Sequence, residues 1–252
     1  MSILLSEWTK LRSVRTMWIL VLSTIASSMA LGLLGVSDVL TSADTVLPAN
    51  WDPTATALKG FLFAQLIIGM MGALSVTGEF ETGTIASSLI AVPSRFHFFG
   101  AKVAVLSALA LVTACVTTLL SFLLVQATLA NAAIPTAALS DTKVQMALGG
   151  AVLYLVLVAL IGVAVGVLTR SATMSMSVLV AALLLIPAVG PGLPAALGQW
   201  FAMFWPITAG QSAYSVVPGE GNIDPFLGLA LLAATAIGLC VTAYGALHYR
   251  DI

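Results

Sequence analysis

Residues 17–36 read MWILVLSTIASSMALGLLGV, an apolar run without a single charged side chain. In a helix, about 20 apolar residues are enough to cross the hydrocarbon core of a bilayer, which is about 30 Å thick. The basic stretch from Lys10 to Arg15 precedes the run, as it would in a secretory signal peptide. The apolar region of such a signal has only about 7–15 residues, so the longer run predicts a retained membrane span.

Five more runs of this kind follow, and together they dominate the composition of the chain. Of the 252 residues, 60% are hydrophobic and 8% are charged, and the mean hydropathy is +1.10. Soluble domains carry about 25% charged residues, so that class is excluded. We predict an all-α polytopic membrane protein in which residues 1–252 form a single transmembrane domain. The six predicted spans are approximately residues 17–36, 60–76, 103–127, 146–168, 173–193 and 226–247.

The basic residues divide unequally between the two sides of these spans. If the N-terminus lies in the cytoplasm, only Lys59 and Lys143 lie outside. Lysine and arginine accumulate in the short cytoplasmic loops of membrane proteins. The distribution therefore places both termini in the cytoplasm, on the same side as Lys10, Arg12, Arg15, Arg95, Lys102, Arg170 and Arg250.

Residues 2–16 are predicted to form an amphipathic helix that lies in the cytoplasmic membrane interface. Leu4, Trp8 and Leu11 recur at intervals of three to four residues, which is the period of a helix face. Tryptophan and basic side chains suit the headgroup region of a membrane. The alternative is that this stretch is only the charged flank that orients the first span. The candidate interfacial residues are Trp8, Lys10, Arg12 and Arg15.

The fifth span ends in a segment that is rich in proline and glycine. Three prolines within residues 187–194 remove backbone donors, so an intact helix does not continue through them. Residues 198–206 then read GQWFAMFWP, which is aromatic but too short to cross a bilayer. We predict a re-entrant or outer-face segment between spans five and six. Trp200 and Trp205 are expected to form either an outer gate or part of an aromatic belt.

Several classes of function lack the residues that they need. A serine hydrolase would need a base beside Ser212, but His97 and His248 lie on the cytoplasmic side of the predicted topology. The sequence has no HExxH zinc motif and no GxxxxGK[ST] phosphate loop. No predicted span interior carries a charged residue that would relay a coupling ion. We expect no enzyme activity, no metal site and no nucleic-acid partner. Any energy source for transport would then lie on another polypeptide.

The longest predicted cytoplasmic loop, residues 77–102, carries the most polar sequence between two spans. It begins with Thr77-Gly-Glu-Phe-Glu-Thr-Gly-Thr84 and continues to Ala91-Val-Pro-Ser-Arg95. Together with the basic N-terminus Glu7-Trp-Thr-Lys-Leu-Arg-Ser-Val-Arg15 and the order of the spans, this string resembles the permease subunits of type-2 ABC exporters, especially those of actinobacteria. The resemblance covers essentially the whole chain.

The resemblance implies a permease of the bacterial plasma membrane that works as a homodimer or with a sister permease. It also implies two copies of a separate ATP-binding subunit, which would hold ATP and magnesium, while this chain holds no cofactor. The loop after the second span would be the coupling element that docks on that subunit. The candidate coupling residues are Glu79, Glu81, Gly83, Thr84, Ile85, Leu89, Pro93 and Arg95.

A short helix is expected within this loop, capped by Thr84 and ended by Pro93. Ile85, Leu89 and Val92 would share one face of this helix. The resembled family often has more basic residues in the loop, whereas this chain has Glu81, Ala86 and Ser94.

Two roles are open for Glu79. It is either a solvated loop carboxylate or an acceptor for Lys10 or Arg12 of the N-terminal helix. In the second case, Glu79 would pass motion of the ATP-binding subunit to spans one and two.

In the resembled fold, spans two and five line a cavity between two permeases. Residues of these two spans could contact cargo, but helix packing would explain them equally well. Methionines are adaptable packers, and a lone amide usually bonds a neighbouring helix. The expected function is export of a hydrophobic or amphipathic compound, such as a drug, an antibiotic or a lipid. The alternative is a non-transporting membrane component, such as a sensor or an assembly partner. The candidate cargo contacts are Phe61, Phe63, Gln65, Met70, Met174 and Met176.

Overall fold

The computed structural model describes residues 3–41, 51–84, 94–194, 196–217 and 223–249, with the backbone alone for Thr41 and Arg95. Every regular element in these ranges is helical. A π-helical turn (Ala181–Leu185) joins α7 to α8, and two 3-10 turns cover Gly190–Gly192 and Ser212–Tyr214. The α-helices are α1 (Ile3–Ser13), α2 (Arg15–Thr41), α3 (Pro53–Ala57), α4 (Phe61–Glu81), α5 (Arg95–Asn131), α6 (Thr142–Thr169), α7 (Ala172–Val180), α8 (Ile186–Val189), α9 (Ala196–Phe204), α10 (Pro206–Gln211) and α11 (Pro225–Tyr249).

Within the described residues, six helical stretches are long and apolar enough to cross a membrane, which confirms the predicted all-α fold with six spans. Their order along the chain is also the predicted one. The stretches are Arg15–Leu40, Phe61–Glu81, Phe96–Asn131, Thr142–Thr169, Ala172–Gly192 and Pro225–Tyr249.

The third span begins earlier than the sequence pattern predicts. Its predicted start was residue 103, but α5 begins at Arg95, and the preceding Ser94 Oγ accepts the His97 N–H at 3.4 Å. Arg95, His97 and Lys102 lower the local hydropathy, so this part of the helix does not resemble a span. The 37 residues of α5 make it about 55 Å long, well beyond the about 30 Å of a hydrocarbon core.

Helices α4 and α6 form the centre of the bundle. In their most apolar windows 61% and 67% of the residues are buried, against 17% to 28% in α2, the fifth span and α11. The two backbones touch, because a Cβ atom on Gly162 would overlap the carbonyl oxygen of Gly69, and one on Gly72 would overlap that of Ala159. Small residues permit such close approach between membrane helices. Gly162 and Gly166 therefore form a GxxxG packing motif.

The fifth span is interrupted by its π-helical turn, and two of its carbonyl groups lose their usual donors there. The Ile186 N–H donates to the carbonyl of Ala181, one residue further back than in an α-helix, so the carbonyl of Ala182 is released. Pro187 has no N–H, so the carbonyl of Leu183 loses its helical donor as well. The sequence predicted a break at the prolines of residues 187–194, and the π-helical turn lies just before them, at Ala181–Leu185.

Two side chains from other elements replace the missing donors. Trp205 Nε1 donates to the Ala182 carbonyl at 3.0 Å, and Gln65 Nε2 of α4 donates to the Leu183 carbonyl at 3.1 Å. The hydroxyl of Tyr154 on α6 donates to Gln65 Oε1. Gln65 is fully buried, so its amide belongs to the packing of α4, α6 and the fifth span.

Asp52 connects the short helix α3 to the chain segment that leads to α11. One of its carboxylate oxygens accepts the N–H groups of Thr54 and Ala55 and begins α3. The other accepts those of Val216 and Val217, at 2.7 and 3.0 Å, in the chain that leads to α11. The short helices α9 and α10 lie between spans five and six. Whether this segment is re-entrant or lies at the outer face stays a prediction.

Candidate functional site around the end of helix α4

The last turn of α4 carries both carboxylates that the sequence singled out. Glu79 and Glu81 belong to the helix, which ends at Glu81 rather than near residue 76. Thr82 closes the helix with its N–H, and Gly83 follows at φ +69°, a left-handed conformation that favours glycine. The segment between α4 and α5 is therefore residues 82–94, shorter than the predicted loop of residues 77–102.

Four charged side chains from three helices meet at this turn, and we call them the Glu79 cluster: Glu7 and Lys10 of α1, Glu79 of α4 and Lys102 of α5. Lys102 Nζ lies 2.9 Å from both Glu7 Oε2 and Glu79 Oε1. Lys10 Nζ lies 2.8 Å from Glu7 Oε1 and 3.1 Å from Glu79 Oε1. The Lys102 ammonium also donates to the carbonyl of Ser75 at 3.3 Å. Each carboxylate thus binds both ammonium groups.

Most of the Glu79 cluster is withdrawn from solvent. The side chains of Lys102 and Glu7 are 5% and 4% exposed, whereas that of Lys10 is 40% exposed. Buried charges are costly unless they are paired, so this pairing is a condition for α1 and α5 to approach α4. The ring of Phe98 adds a cation–π contact, 5.5 Å from Lys102 Nζ and 6.0 Å from Lys10 Nζ.

Ion pairing affects the pKa values of Glu7 and Lys10 more strongly than burial does. Burial alone would raise the pKa of Glu7, but the charges and hydrogen bonds of Lys102 and Lys10 outweigh it and hold that pKa below its ordinary value. Burial alone would lower the pKa of Lys10, but Glu7 and Glu79 raise it above its ordinary value. Both side chains are therefore charged at neutral pH.

Helix α1 turns its charged face inward. Glu7 and Leu11 are buried against the bundle, whereas Leu4 and Trp8 are 49% and 39% exposed. The prediction of one helix over residues 2–16 was wrong at its end, because α1 stops at Ser13 and Arg15 begins α2. The exposed apolar side chains suit a membrane interface, and that location stays a prediction.

On its other side, the end of α4 contacts the start of the fifth span. Glu81 Oε1 accepts the N–H of Ala172 at 2.9 Å, in the first turn of α7, where backbone N–H groups lack helical partners. Arg170 ends α6 at φ 55°, and its guanidinium lies 5.3 Å from the ring of Phe80. Only residues 170 and 171 separate α6 from α7. One turn of α4 therefore contacts α1, α5 and α7.

A family model described as ABC-2 family transporter protein matches residues 3–189. The chain belongs to this family. The match runs from the first residue of α1 to the last of α8, and so includes the whole Glu79 cluster. This ABC-2 protein is a multi-pass membrane component of an ABC transporter with an ATP-binding subunit as its partner, and the usual location of the family is the bacterial plasma membrane. No curated protein matches the chain.

The structure describes only part of the predicted coupling set of this ABC-2 permease. Ile85, Leu89 and Pro93 lie outside the described residues, and only the backbone of Arg95 is described. Thr84 Oγ1 lies 2.9 Å from Thr82 Oγ1, directly after the left-handed Gly83. The docking role of these residues stays a prediction.

Sequence reasoning missed Glu7 and Lys102 as members of the site. Glu7 was noted only as part of the basic N-terminal stretch, and Lys102 was counted only as a cytoplasmic charge. One signal was available, because the spacing of Glu7 and Lys10 allows an i,i+3 pair. This signal does not identify the helix that supplies Glu79.

The six candidate cargo contacts divide by exposure. Phe61 and Gln65 are fully buried, and the ring of Phe61 packs 5.4 Å from that of Tyr214, so helix packing explains both. Met70 is partly buried against the core. Three candidates face outward, at 46%, 59% and 38% exposure: Phe63, Met174 and Met176.

Proposed function

We propose that this ABC-2 protein is the membrane-spanning subunit of an ATP-driven exporter that moves a hydrophobic or amphipathic compound out of the cell. Drugs, antibiotics and lipids suit spans with so few charges, so multidrug efflux and antibiotic resistance are the roles that we propose. The observation that carries the proposal is the end of α4, where Glu79 and Glu81 bind side chains or backbone of three other helices.

The proposed energy source is a separate ATP-binding subunit, present in two copies, which holds ATP and magnesium. A second copy of this chain, or a sister permease, completes the proposed complex. The absence of a GxxxxGK[ST] loop in the sequence supports this division of labour, because that loop is the usual cradle for nucleotide phosphates. In this arrangement the segment that follows Gly83 docks on the ATP-binding subunit at the cytoplasmic face.

A displacement of this segment would act directly on the last turn of α4. Glu79 would pass the movement to α1 through the 3.1 Å charge-assisted hydrogen bond from Lys10, and to α5 through the 2.9 Å bond from Lys102. Glu81 would pass it to α7, the first part of the fifth span, through the N–H of Ala172. Spans one, two, three and five would then move in response to one docking event.

The proposed cargo path uses the outward faces of spans two and five. Phe63 of α4 and Met174 and Met176 of α7 are exposed and uncharged. Methionine is unbranched and polarizable, so it adapts to apolar ligands of different shapes. A second permease facing this surface would complete a cavity for an apolar or amphipathic compound.

The test of coupling is the Glu79→Gln variant of the complex with its ATP-binding subunit. We expect the complex to assemble and hydrolyse ATP, while transport per ATP falls by about tenfold, the factor that corresponds to one charge-assisted hydrogen bond. Accumulation of a fluorescent amphiphile in inverted vesicles and phosphate release would be measured on the same sample.

The matched control is Asp141→Asn, which removes a carboxylate charge at the opposite end of α6. Asparagine also caps helices, so both activities should stay at the wild-type level. A wild-type ratio of transport to hydrolysis in Glu79→Gln would contradict the coupling role. Failure of the wild-type chain to co-purify with any ATP-binding subunit would contradict the exporter itself.

A further inference from the structure

A groove of about 380 Å³ lies between the first turns of α6 and α11, at the end of α6 remote from the Glu79 cluster. Its walls are almost entirely apolar. Met146 and Leu153 of α6 and Phe226 of α11 line it, and they are 62%, 53% and 75% exposed. In a membrane-spanning helix such side chains face lipid, so the groove is accessible from the bilayer.

Lys143 contributes a positive charge to the lining of this groove. No carboxylate among the described residues lies within 4.0 Å of its ammonium group. Asp141, the nearest acidic residue along the chain, instead accepts the backbone N–H of Lys143 at 2.9 Å and caps α6. The ammonium group is thus available to an anion from outside the protein.

The length of the groove matches one leaflet of a bilayer. Lys143 and Leu153 are ten residues apart on α6, which corresponds to about 15 Å along the helix axis. The hydrocarbon core is about 30 Å thick, so half of it is about 15 Å. An acyl chain that begins beside Lys143 would therefore reach the middle of the membrane at Leu153.

A glycine leaves room for such a chain. Gly149 lines the groove, and no atom lies within 4 Å of the position that its Cβ atom would occupy. Its neighbour Gly150 is different, because a Cβ there would overlap the carbonyl oxygen of Ala213. The first glycine keeps the groove open, whereas the second allows α6 to approach the chain before α11.

We propose that this groove binds one acyl chain of an anionic phospholipid, with the lipid phosphate paired to Lys143. On the proposed topology the lipid belongs to the outer leaflet. The site is separate from the proposed cargo path, because it lies on α6 and α11 rather than on spans two and five. The bound chain fills the gap between two spans and therefore strengthens their contact.

Native mass spectrometry of the full-length protein, released from nanodiscs of defined composition, tests the proposal. With equal amounts of phosphatidylglycerol and phosphatidylcholine of identical chains, one phosphatidylglycerol molecule per protein should be retained preferentially. Lys143→Gln should reduce this retention by about fivefold, the effect of one lysine near a charged lipid surface. The control Lys59→Gln removes another exposed lysine outside the groove and should leave retention unchanged.

A second pair of variants tests the shape of the site without changing its charge. Gly149→Leu places a side chain in the groove and should abolish retention of the lipid. Gly238→Leu is the matched control, because no atom lies within 4 Å of its Cβ position either and the residue does not line the groove. Retention should be unchanged in this control.

Three results would overturn the proposal. Equal retention of the two lipids would remove the role of the phosphate, and full retention in Gly149→Leu would place the lipid elsewhere. A benzophenone amino acid at position 146 that crosslinks to a second protein chain, and not to lipid, would identify the groove as a protein interface. None of these results bears on the exporter, which is tested by its coupling to ATP hydrolysis.

Discussion

Lys102 is the residue on which the Glu79 cluster depends most. Its ammonium group is almost fully buried and binds Glu7, Glu79 and the carbonyl of Ser75. Lys10 binds the same two carboxylates but is far more exposed, so it is more readily replaced by water. Removing Lys102 would leave two carboxylates close together with only one partly exposed cation between them.

We expect Lys102→Met to destabilise the folded protein by about 3–5 kcal/mol, the cost of breaking a buried ion pair on one side. The loss would be measured as a shift of the midpoint of unfolding in mixed detergent micelles. The double variant Glu7→Gln with Lys102→Met should recover part of that loss, because one uncompensated carboxylate is removed with the lysine.

The exposed Lys59 supplies the control for this measurement. Lys59→Met should change the unfolding midpoint very little, because a solvated charge is lost and no partner is left unpaired. Equal midpoints for Lys102→Met and the wild type would contradict the stabilising role of the cluster.

Sequence reasoning singled out Glu79 and left open a solvated carboxylate or a bond to Lys10 or Arg12, and the structure places Glu79 in contact with Lys10. It did not identify Lys102, because a lysine before an apolar run has the same pattern whether it is solvated or buried. Glu7 was missed because the Leu4, Trp8 and Leu11 spacing drew attention to the apolar face of α1. Which face of such a helix meets the protein depends on tertiary contacts.

At the scale of elements, the fifth span depends on donors from outside itself. Its π-helical turn frees the carbonyl of Ala182, which Trp205 binds, and Pro187 frees that of Leu183, which Gln65 binds. Prolines in membrane helices are tolerated where neighbouring groups satisfy the freed backbone in this way. π-Helical turns are frequent at functional sites, and this one lies in a span that we propose to move.

We expect Gln65→Leu and Trp205→Phe each to cost about 1–3 kcal/mol, because each leaves a carbonyl of the fifth span without a donor, buried at Leu183 and partly buried at Ala182. Hydrogen–deuterium exchange should increase selectively in residues 181–186. The control Gln145→Leu removes a hydrogen bond from an exposed amide to the carbonyl of Leu139, where water replaces the lost donor. Unchanged exchange in both core variants would contradict the role of these donors.

A break in the fifth span was predictable from its prolines. The side chains that donate to the freed carbonyl groups were not. Pro187 has no backbone N–H, and this is known from the sequence alone. The donor for Leu183, however, comes from Gln65, which is 118 residues away, and nothing local marks that glutamine as its partner. The same reasoning explains the cargo candidates, since Phe61 and Phe63 are both apolar residues of one span but only Phe63 is exposed.

At the scale of the whole molecule, the contact between α4 and α6 organises the bundle. Spans one, three, five and six pack around these two helices. The six spans were predictable because the length of an apolar run can be counted in the sequence, as in residues 17–36. The central pair was not, because burial does not follow hydropathy: α4 is the least and α6 the most apolar of the six spans, yet these two are the most buried.

Gly162→Ala tests this central contact with a single methyl group. The added Cβ would overlap the carbonyl oxygen of Gly69, so we expect a loss of about 1–3 kcal/mol and a lower yield of folded protein on size-exclusion chromatography. Gly238→Ala adds the same methyl group in open space on α11 and should not lower the yield. Wild-type behaviour of Gly162→Ala would contradict the backbone contact.

Glu79 and Glu81 stand two residues apart on α4, which places them about 200° apart around the helix axis. A movement along the axis would carry both carboxylates, and so α1, α5 and α7, in the same direction. A twist of α4 about its axis would instead drive α1 and α5 one way and α7 the other. In the coupling that we propose, the direction in which α1 and α7 move relative to each other would therefore distinguish a rotation of α4 from a translation along its axis.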